Sequence, residues 1–564
     1  MSAIEPPAPS KLRLPSPEVQ RFLKGYGPLA ALIAAFALMA VLAPTVAPGR
    51  LVGSSTAGAG SGGALGAAGK KGLAGTAGAA GTGAGALSSG AAGSSSTSGA
   101  AAAGHSTPCP GQSQQVPGDP YSPPCIAFSG SNGGATSQGV TGDTITVSYR
   151  VTSDPGFQQT LASIGGAQFS DTTADIERTI TNLSTYFNNK FQFYGRKIKV
   201  DFFNGQGSQT NELLGQGQQQ ADADAITASQ QIHAFAELDG TTEPYDDALA
   251  QQHVVALGAP YLSANWMAQR QPYEWSLGTE CNDVASTTAE FFDKEMANKP
   301  AAYAGGSLKN QTRKVAVIAP DNPWYQDCAN AAIATAQAAG DKVTDDIQYQ
   351  LDLSTLSSQA ASVVAKLQND GITTIICGCD PVFPVYLTSR AAEQNYTPEW
   401  VVAGVALTDT DIVGQLFDQS EWAHALGVSF AGPEMPKQAT LGYAAYKQVA
   451  SDEPANVVDL IYAQMYMLAI GIQMAGPALT PQSFQQGMRA YPGSQAGAPN
   501  AEFGTWAFPN NHFTPQMDSV IIYWDPNKTS PYNGKQGAYV IASPRYQSGQ
   551  YPTTPPPVPA SFGQ

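Results

Sequence analysis

Residues 314–340 read KVAVIAPDNPWYQDCANAAIATAQAAG. A short β-branched run (KVAVIAP, 314–320) is followed by a longer one (325–340) in which apolar residues recur at three and four, with Gly340 where a helix C-cap belongs. The same alternation runs outward on both sides. The spacing predicts strands at 143–151, 197–203, 233–238, 253–258, 373–378 and 399–404, and helices at 175–190, 283–297 and 354–370, the last closed by Gly371. Strand-helix alternation of this kind means right-handed crossovers and mostly parallel sheets with helices on both faces, an α/β fold. The pattern extends over about 139–550, too much chain for one core, so two lobes are expected, with a ligand crevice at the carboxyl ends of the strands.

The 564 residues are 42% hydrophobic but only 13% charged, and 28 basic against 44 acidic side chains give a net charge of −16. Residues 1–104 hold seven basic groups (Lys11, Arg13, Arg21, Lys24, Arg50, Lys70, Lys71) and two acidic ones (Glu5, Glu18), so the remainder is at −21. Such a surface repels a polyphosphate backbone, which argues against nucleic acid as a partner. The chain has no G-x-S-x-G elbow, P-loop or H-E-x-x-H, and Gly205-Gln206-Gly207 lacks the rest of a dinucleotide fingerprint. No enzyme activity and no cofactor are expected. Paired acids such as Asp246 and Asp247, or Asp345 and Asp346, read as solvated faces or caps.

From Leu29 to Val46 the chain carries no charge, about 27 Å of helix at about 1.5 Å per residue. Basic residues precede this stretch and only Arg50 follows closely, so 1–27 is expected in the cytoplasm, 28–47 as a transmembrane signal-anchor and the remainder outside. A cleaved signal is the competing reading, although Pro44 and Pro48 would stand just after either plausible cut. Residues 48–138, first Gly/Ala/Ser-rich and then Pro-rich, read as a tether, and 551–564 (YPTTPPPVPASFGQ) as a Pro-rich tail. The Gly/Ala/Ser part alone would give a flexible reach near 40 Å.

Six cysteines beyond the apolar stretch fit an oxidising compartment. Their pairing is open from sequence, with Cys109–Cys125, flanking a Pro/Gln/Gly-rich loop, and Cys281–Cys328 as the expectation. A metal site is not expected, because Cys377-Gly378-Cys379 stands alone and the five histidines are scattered.

The ordered segments GVTGDTITVSYRV, FNNKFQFYGRKIKVDFFNGQGS, KVAVIAPDNPWYQDCANAAIATAQAAG and GITTIICGCDPVFPVYLTSRAAEQNY resemble successive landmarks of type I periplasmic solute-binding proteins, the leucine/isoleucine/valine-binding class. The likeness runs from about Gly139 to Trp524 and includes the late segment DLIYAQMYMLAIGIQMAG. It implies a two-lobed fold with three hinge crossings, lobe one at about 139–280 and 428–505 and lobe two at about 281–427 and 506–550. It also implies a small-molecule ligand and, as partner, the permease of an ABC importer.

By the same resemblance, the carboxylate-holding loops of lobe one match LDGTTEPYDD and LGAPYLSAN, making Thr241, Thr242, Tyr261 and Ser263 candidates. Hydroxyls at a helix N-terminus suit an anion, although Thr241 and Thr242 could equally cap the helix near Glu243. In lobe two the landmark tyrosine falls on Tyr325, with Trp324 beside it, and the loop CGCDPVFP brings Asp380, against the simpler role of a helix cap. One departure matters. Where amino-acid binders carry the carboxylate that meets the ligand ammonium, AGVALTDTD sets Ala406, and the first acids are Asp409 and Asp411. An unpaired buried ammonium costs several kcal/mol, so either Asp409 moves in or the ligand is not a simple α-amino acid. The expected function is capture of a small polar ligand for import, with a sensor or a structural cell-envelope protein on the same fold as alternatives.

Overall fold

A computed structural model of the chain describes residues 104–154, 171–494 and 502–563. The segment 1–27, the apolar stretch 28–47 and the tether as far as 103 lie outside the described residues. From Gly104 the chain has regular structure, exposed at first, and from Val116 it enters the core of lobe one, which corrects the expectation of a tether reaching 138. β1 (His105–Pro108) and β2 (Ile126–Ser129) form an antiparallel pair, and the Cys109–Cys125 disulfide closes the loop between them. That loop carries Tyr121, 1% exposed, whose hydroxyl donates to the Gly504 carbonyl at 2.9 Å, and Asp119, which accepts from the Tyr462 hydroxyl at 2.7 Å. An aromatic anchor and a buried acid give this piece the burial that Gly, Ala and Ser cannot supply.

Lobe one holds β3 (Thr144–Val151), β4 (Lys197–Asn204), β5 (Ala236–Glu237), β6 (Val255–Gly258) and β7 (Glu274–Ser276), all parallel, in the order β4-β3-β5-β6-β7. Lobe two holds β8 (Val315–Pro320), β9 (Val343–Tyr349), β10 (Thr374–Cys377), β11 (Glu399–Val402) and β12 (Ala425–Ser429), parallel, then β13 (Val520–Thr529) and β14 (Gln536–Ile541), antiparallel at the edge. Their order is β14-β13-β12-β11-β10-β8-β9. β8 is buried along its whole length, as a parallel strand covered on both faces must be. Gly340 and Gly371 close the helices Pro323–Ala339 and Leu356–Asp370 in the left-handed conformation, with φ of 97° and 66°.

Three crossings join the lobes. The first follows β7, the second follows β12, and the third comes just before β13. The third lies later than the boundary expected at 505–506, because Trp506, Phe508 and Phe513 are buried in the core of lobe one. Arg545 ties two crossings together, donating to the carbonyls of Phe430, Ala431 and Asp518, each at 2.9 Å. The expected tail also packs: Tyr551 and Phe562 are buried against lobe two.

The helix Val458–Ala475 is long and apolar enough to cross a membrane, yet it is mostly buried, as the central helix of lobe one. Phe187 stacks on Tyr462 with ring centres 5.5 Å apart and meets Tyr466 edge-on at the same distance. The helix Pro481–Ala490 approaches it so closely that a Cβ at Gly487 would stand 2.5 Å from the Ala475 nitrogen and 2.7 Å from the Gly471 oxygen. Because both neighbours are backbone, Gly487→Val should destabilise the protein by about 1–3 kcal/mol, read as a lower denaturation midpoint.

Candidate ligand-binding cleft

The first groups to converge at the carboxyl ends of the lobe-one strands are charged. Arg150, at the end of β3, is fully buried and makes a two-pronged pair with Glu212, both bonds 2.9 Å. Asp224 stands 3.5 Å and Asp239 3.8 Å from the guanidinium, and the Tyr245 ring lies 3.5 Å beneath it. Gly205-Gln206-Gly207 owes its glycines to this cluster. The N–H groups of Gln206 and Gly207 donate to Asp224 at 2.7 and 2.8 Å, and a Cβ at Gly207 would run into Glu212 and Arg150. Sequence reasoning missed Arg150 and Glu212; the signal available for Arg150 was the one charged residue in the strand TITVSYRV.

The expected site residues divide into two sets. Thr242 is buried and its hydroxyl is bonded to Glu212, so it braces the charged cluster, while the hydroxyl of neighbouring Thr241 is buried without a partner. Ser263 caps the helix Ala264–Gln269 and donates across the lobes to Asp327 at 3.3 Å. Asp380 is buried, accepts from the Tyr349 hydroxyl at 2.5 Å and from the N–H groups of Val382 and Phe383, and so takes the capping role. Trp324 lies 3.7 Å from where a Cβ on Gly215 of lobe one would stand.

Tyr261, Tyr325 and Asp409 form the other set. Tyr261 of lobe one and Tyr325 of lobe two both pack on a cluster of Val284, Ala403, Val405 and Phe430 on the lobe-two side. The Tyr261 hydroxyl faces the backbone N–H groups of Ala406 and Leu407, and Asp409 accepts from the Ser429 hydroxyl at 2.5 Å. All three are half-buried, so they keep accessible surface, yet they are enclosed enough that burial raises both phenols and the Asp409 carboxyl above their ordinary pKa values. Groups deep in a crevice and still wetted behave this way. Tyr261, Ala406 and Leu407 have φ of 65°, 51° and 63°, left-handed values that side chains other than glycine adopt at a cost and that gather at ligand sites.

Further contacts close the lobes on one another. Asn322 donates to the Leu213 carbonyl at 2.5 Å, and Leu213 and Leu214 of lobe one pack on the lobe-two core. The Cys281–Cys328 disulfide pins the helix Cys281–Phe291 to the helix Pro323–Ala339, and Cys377 pairs with Cys379 at the end of β10. A separate cavity of about 640 Å³ opens on lobe one among Gln271, Gln485, Arg489 and Asn511, and none of the eight expected contact residues lines it.

Buried acid outweighs buried base around the cleft. Burial pushes Glu237 and Asp239 up, and the pull of Arg150 on both does not offset it. Glu434 accepts from the Asp411 N–H at 2.9 Å, and burial, then the Asp411 carboxylate, push it up to about 7. A proton held more tightly by the folded chain stabilises it fully below the unfolded value near 4.5, and that contribution is lost as pH rises toward 7. The thermal midpoint should therefore fall over this interval, and fall less in Glu434→Gln. Arg150→Met should cost about 3–5 kcal/mol in chemical denaturation, because it strands Glu212, Asp224 and Asp239, and a second change, Glu212→Met, should restore part of it.

Solved structures share this architecture. The leucine-, isoleucine-, valine-, threonine- and alanine-binding protein of Brucella ovis, in its closed conformation, is similar at 12% identity over 73% of this chain and 98% of its own, with a TM-score of 0.51. A fatty acid ABC transporter substrate-binding protein from Thermomonospora curvata is 15% identical over 75% and 98%, with a TM-score of 0.50. An R. palustris ABC transporter solute-binding protein in complex with 4-hydroxybenzoate is 13% identical over 72% and 98%, also at 0.50. Identities this low carry the fold and not the ligand. No curated protein matches the chain by sequence. The family model described as periplasmic binding protein matches residues 165–529, more than half of the chain. With its two α/β lobes, three crossings and interlobe crevice, the chain belongs to the periplasmic binding protein family, whose members bind solutes and are not enzymes.

Proposed function

We propose that this chain is an extracytoplasmic solute-binding protein that captures a small polar ligand, an amino acid or a related compound, between its lobes and delivers it to an ABC importer. The observation that carries the reading is the convergence of Tyr261 from lobe one with Tyr325 and Asp409 from lobe two, half-buried among strained backbone at the strand ends. Two phenol rings and Phe430 offer an apolar wall, and Asp409 offers the acid that position 406 lacks. By their names, the similar proteins bind small amino acids, a fatty acid and 4-hydroxybenzoate, all carboxylic acids of modest size. Thr241, whose buried hydroxyl has no partner, is the lobe-one donor assigned to such a carboxylate in this reading. Three disulfides and the family favour an oxidising, extracytoplasmic compartment, with residues 28–47 as anchor and 48–103 as tether.

A thermal-shift screen of amino acids, aromatic acids, fatty acids, short peptides and sugars, confirmed by calorimetry, tests this. A ligand at about 100 times its Kd adds about 2.7 kcal/mol to stability, a clear rise in midpoint. For the ligand so found, Tyr325→Ala should weaken binding about tenfold, about 1.4 kcal/mol, with the fold intact. Unchanged affinity in a folded Tyr325→Ala protein removes Tyr325 from the site.

A further inference from the structure

His512 is carried by the fold into contact with Asp283, 229 residues away in sequence. It lies on the 502–518 arm that packs with lobe one, whereas Asp283 sits in the first turn of the helix Cys281–Phe291 that opens lobe two. Glu280, on the crossing between them, completes the group. The His512 Nε2 stands 2.5 Å from the Asp283 Oδ2 and 3.8 Å from the Glu280 Oε1. The three ligand atoms all lie within 4.8 Å of one another.

The two ring nitrogens have different partners. His512 Nδ1 lies 2.7 Å from the Thr514 carbonyl oxygen, which can only accept, so Nδ1 carries a proton and Nε2 is the nitrogen turned to the acids. At 2.5 Å from Asp283 Oδ2, Nε2 stands as a hydrogen-bond donor, and a divalent cation would enter by displacing that proton and taking the same three ligand atoms. An Nδ1–H held by a carbonyl is also the arrangement that orients a metal-binding imidazole. Glu280 is held in turn by the Phe513 N–H, 3.2 Å from its other oxygen. Glu280 and His512 are nearly buried, and Asp283, 31% exposed, leaves a path for an ion and water. The nearest other cation, Arg489, has one guanidinium nitrogen committed to the carbonyls of Phe508, Pro509 and His512, and Phe513 lies under its plane.

We propose that Glu280, Asp283 and His512 form a site for a divalent transition-metal ion of the zinc type, which fastens the lobe-one arm to the first helix of lobe two. One imidazole and two carboxylates suit Zn²⁺ with water in the open position, and the nitrogen ligand disfavours Mg²⁺ and Ca²⁺. The site does not depend on the transported ligand, so its test stands apart from that reading.

The full-length protein, stripped of metal, is titrated with Zn²⁺ by calorimetry and with Co²⁺ by visible absorption. The expected result is about one ion per chain, visible Co²⁺ bands of a low-coordinate nitrogen and oxygen site, and no heat with Mg²⁺ or Ca²⁺. Asp283→Asn, at a partly exposed position where folding is least at risk, and His512→Gln should each weaken Zn²⁺ binding at least about tenfold, with circular dichroism reporting an intact fold. The proposal is overturned if the wild type takes up neither Zn²⁺ nor Co²⁺, or if folded Asp283→Asn binds Zn²⁺ as tightly as wild type. In either case an imidazolium paired with the two acids accounts for the geometry instead.

Discussion

A single buried guanidinium holds the cleft-facing edge of lobe one in shape. Arg150 reaches from the end of β3 into Glu212, Asp224 and Asp239, and each of these belongs to a different piece of chain. Taking that charge out of water costs several kcal/mol, which its hydrogen bonds and the Tyr245 face must offset. In return the loop around Glu212 is fixed, and with it Leu213 and Leu214, which meet lobe two, and Thr242, which is drawn onto Glu212. Loops at the ends of parallel strands have little other support, so one ionic knot sets both the crevice wall and the way the lobes meet.

The charge balance of the whole chain reappears locally. A chain at net −16 that also buries Glu237 and Asp246 near Arg150, and Glu274 near Arg270, holds protons on these acids more readily than free side chains would. Burial is the leading cause in each case. The buried acids of lobe one therefore outnumber its buried cations, and the Thr241 hydroxyl stays without a partner beside them.

Much of the fold was legible. KVAVIAP, TTIICG and EWVVAG became β8, β10 and β11 within a residue or two, and Gly340 and Gly371 end their helices as glycines should. The strands that escaped explain the limits. β9, VTDDIQY, alternates exposure and carries Asp345 and Asp346 on a sheet edge, so it reads as polar surface. β13 and β14 pair antiparallel far along the chain, and residues 104–138 are anchored by Tyr121 and Asp119, which find Gly504 and Tyr462 more than 300 residues away. The candidate site was legible in part: Tyr261 and Tyr325 meet on one apolar cluster and Asp409 lies near enough for its charge to act on Tyr261, whereas Asp380 and Ser263 serve as caps.

By itself the sequence determined the alternation of strand and helix and the two-lobed class, because periodicity and capping are local quantities. The tertiary structure decided which hydroxyls and acids face the crevice, which are spent as caps, and that His512 meets Glu280 and Asp283. Those outcomes depend on distances between residues remote in the chain, and such distances exist only once both lobes have packed.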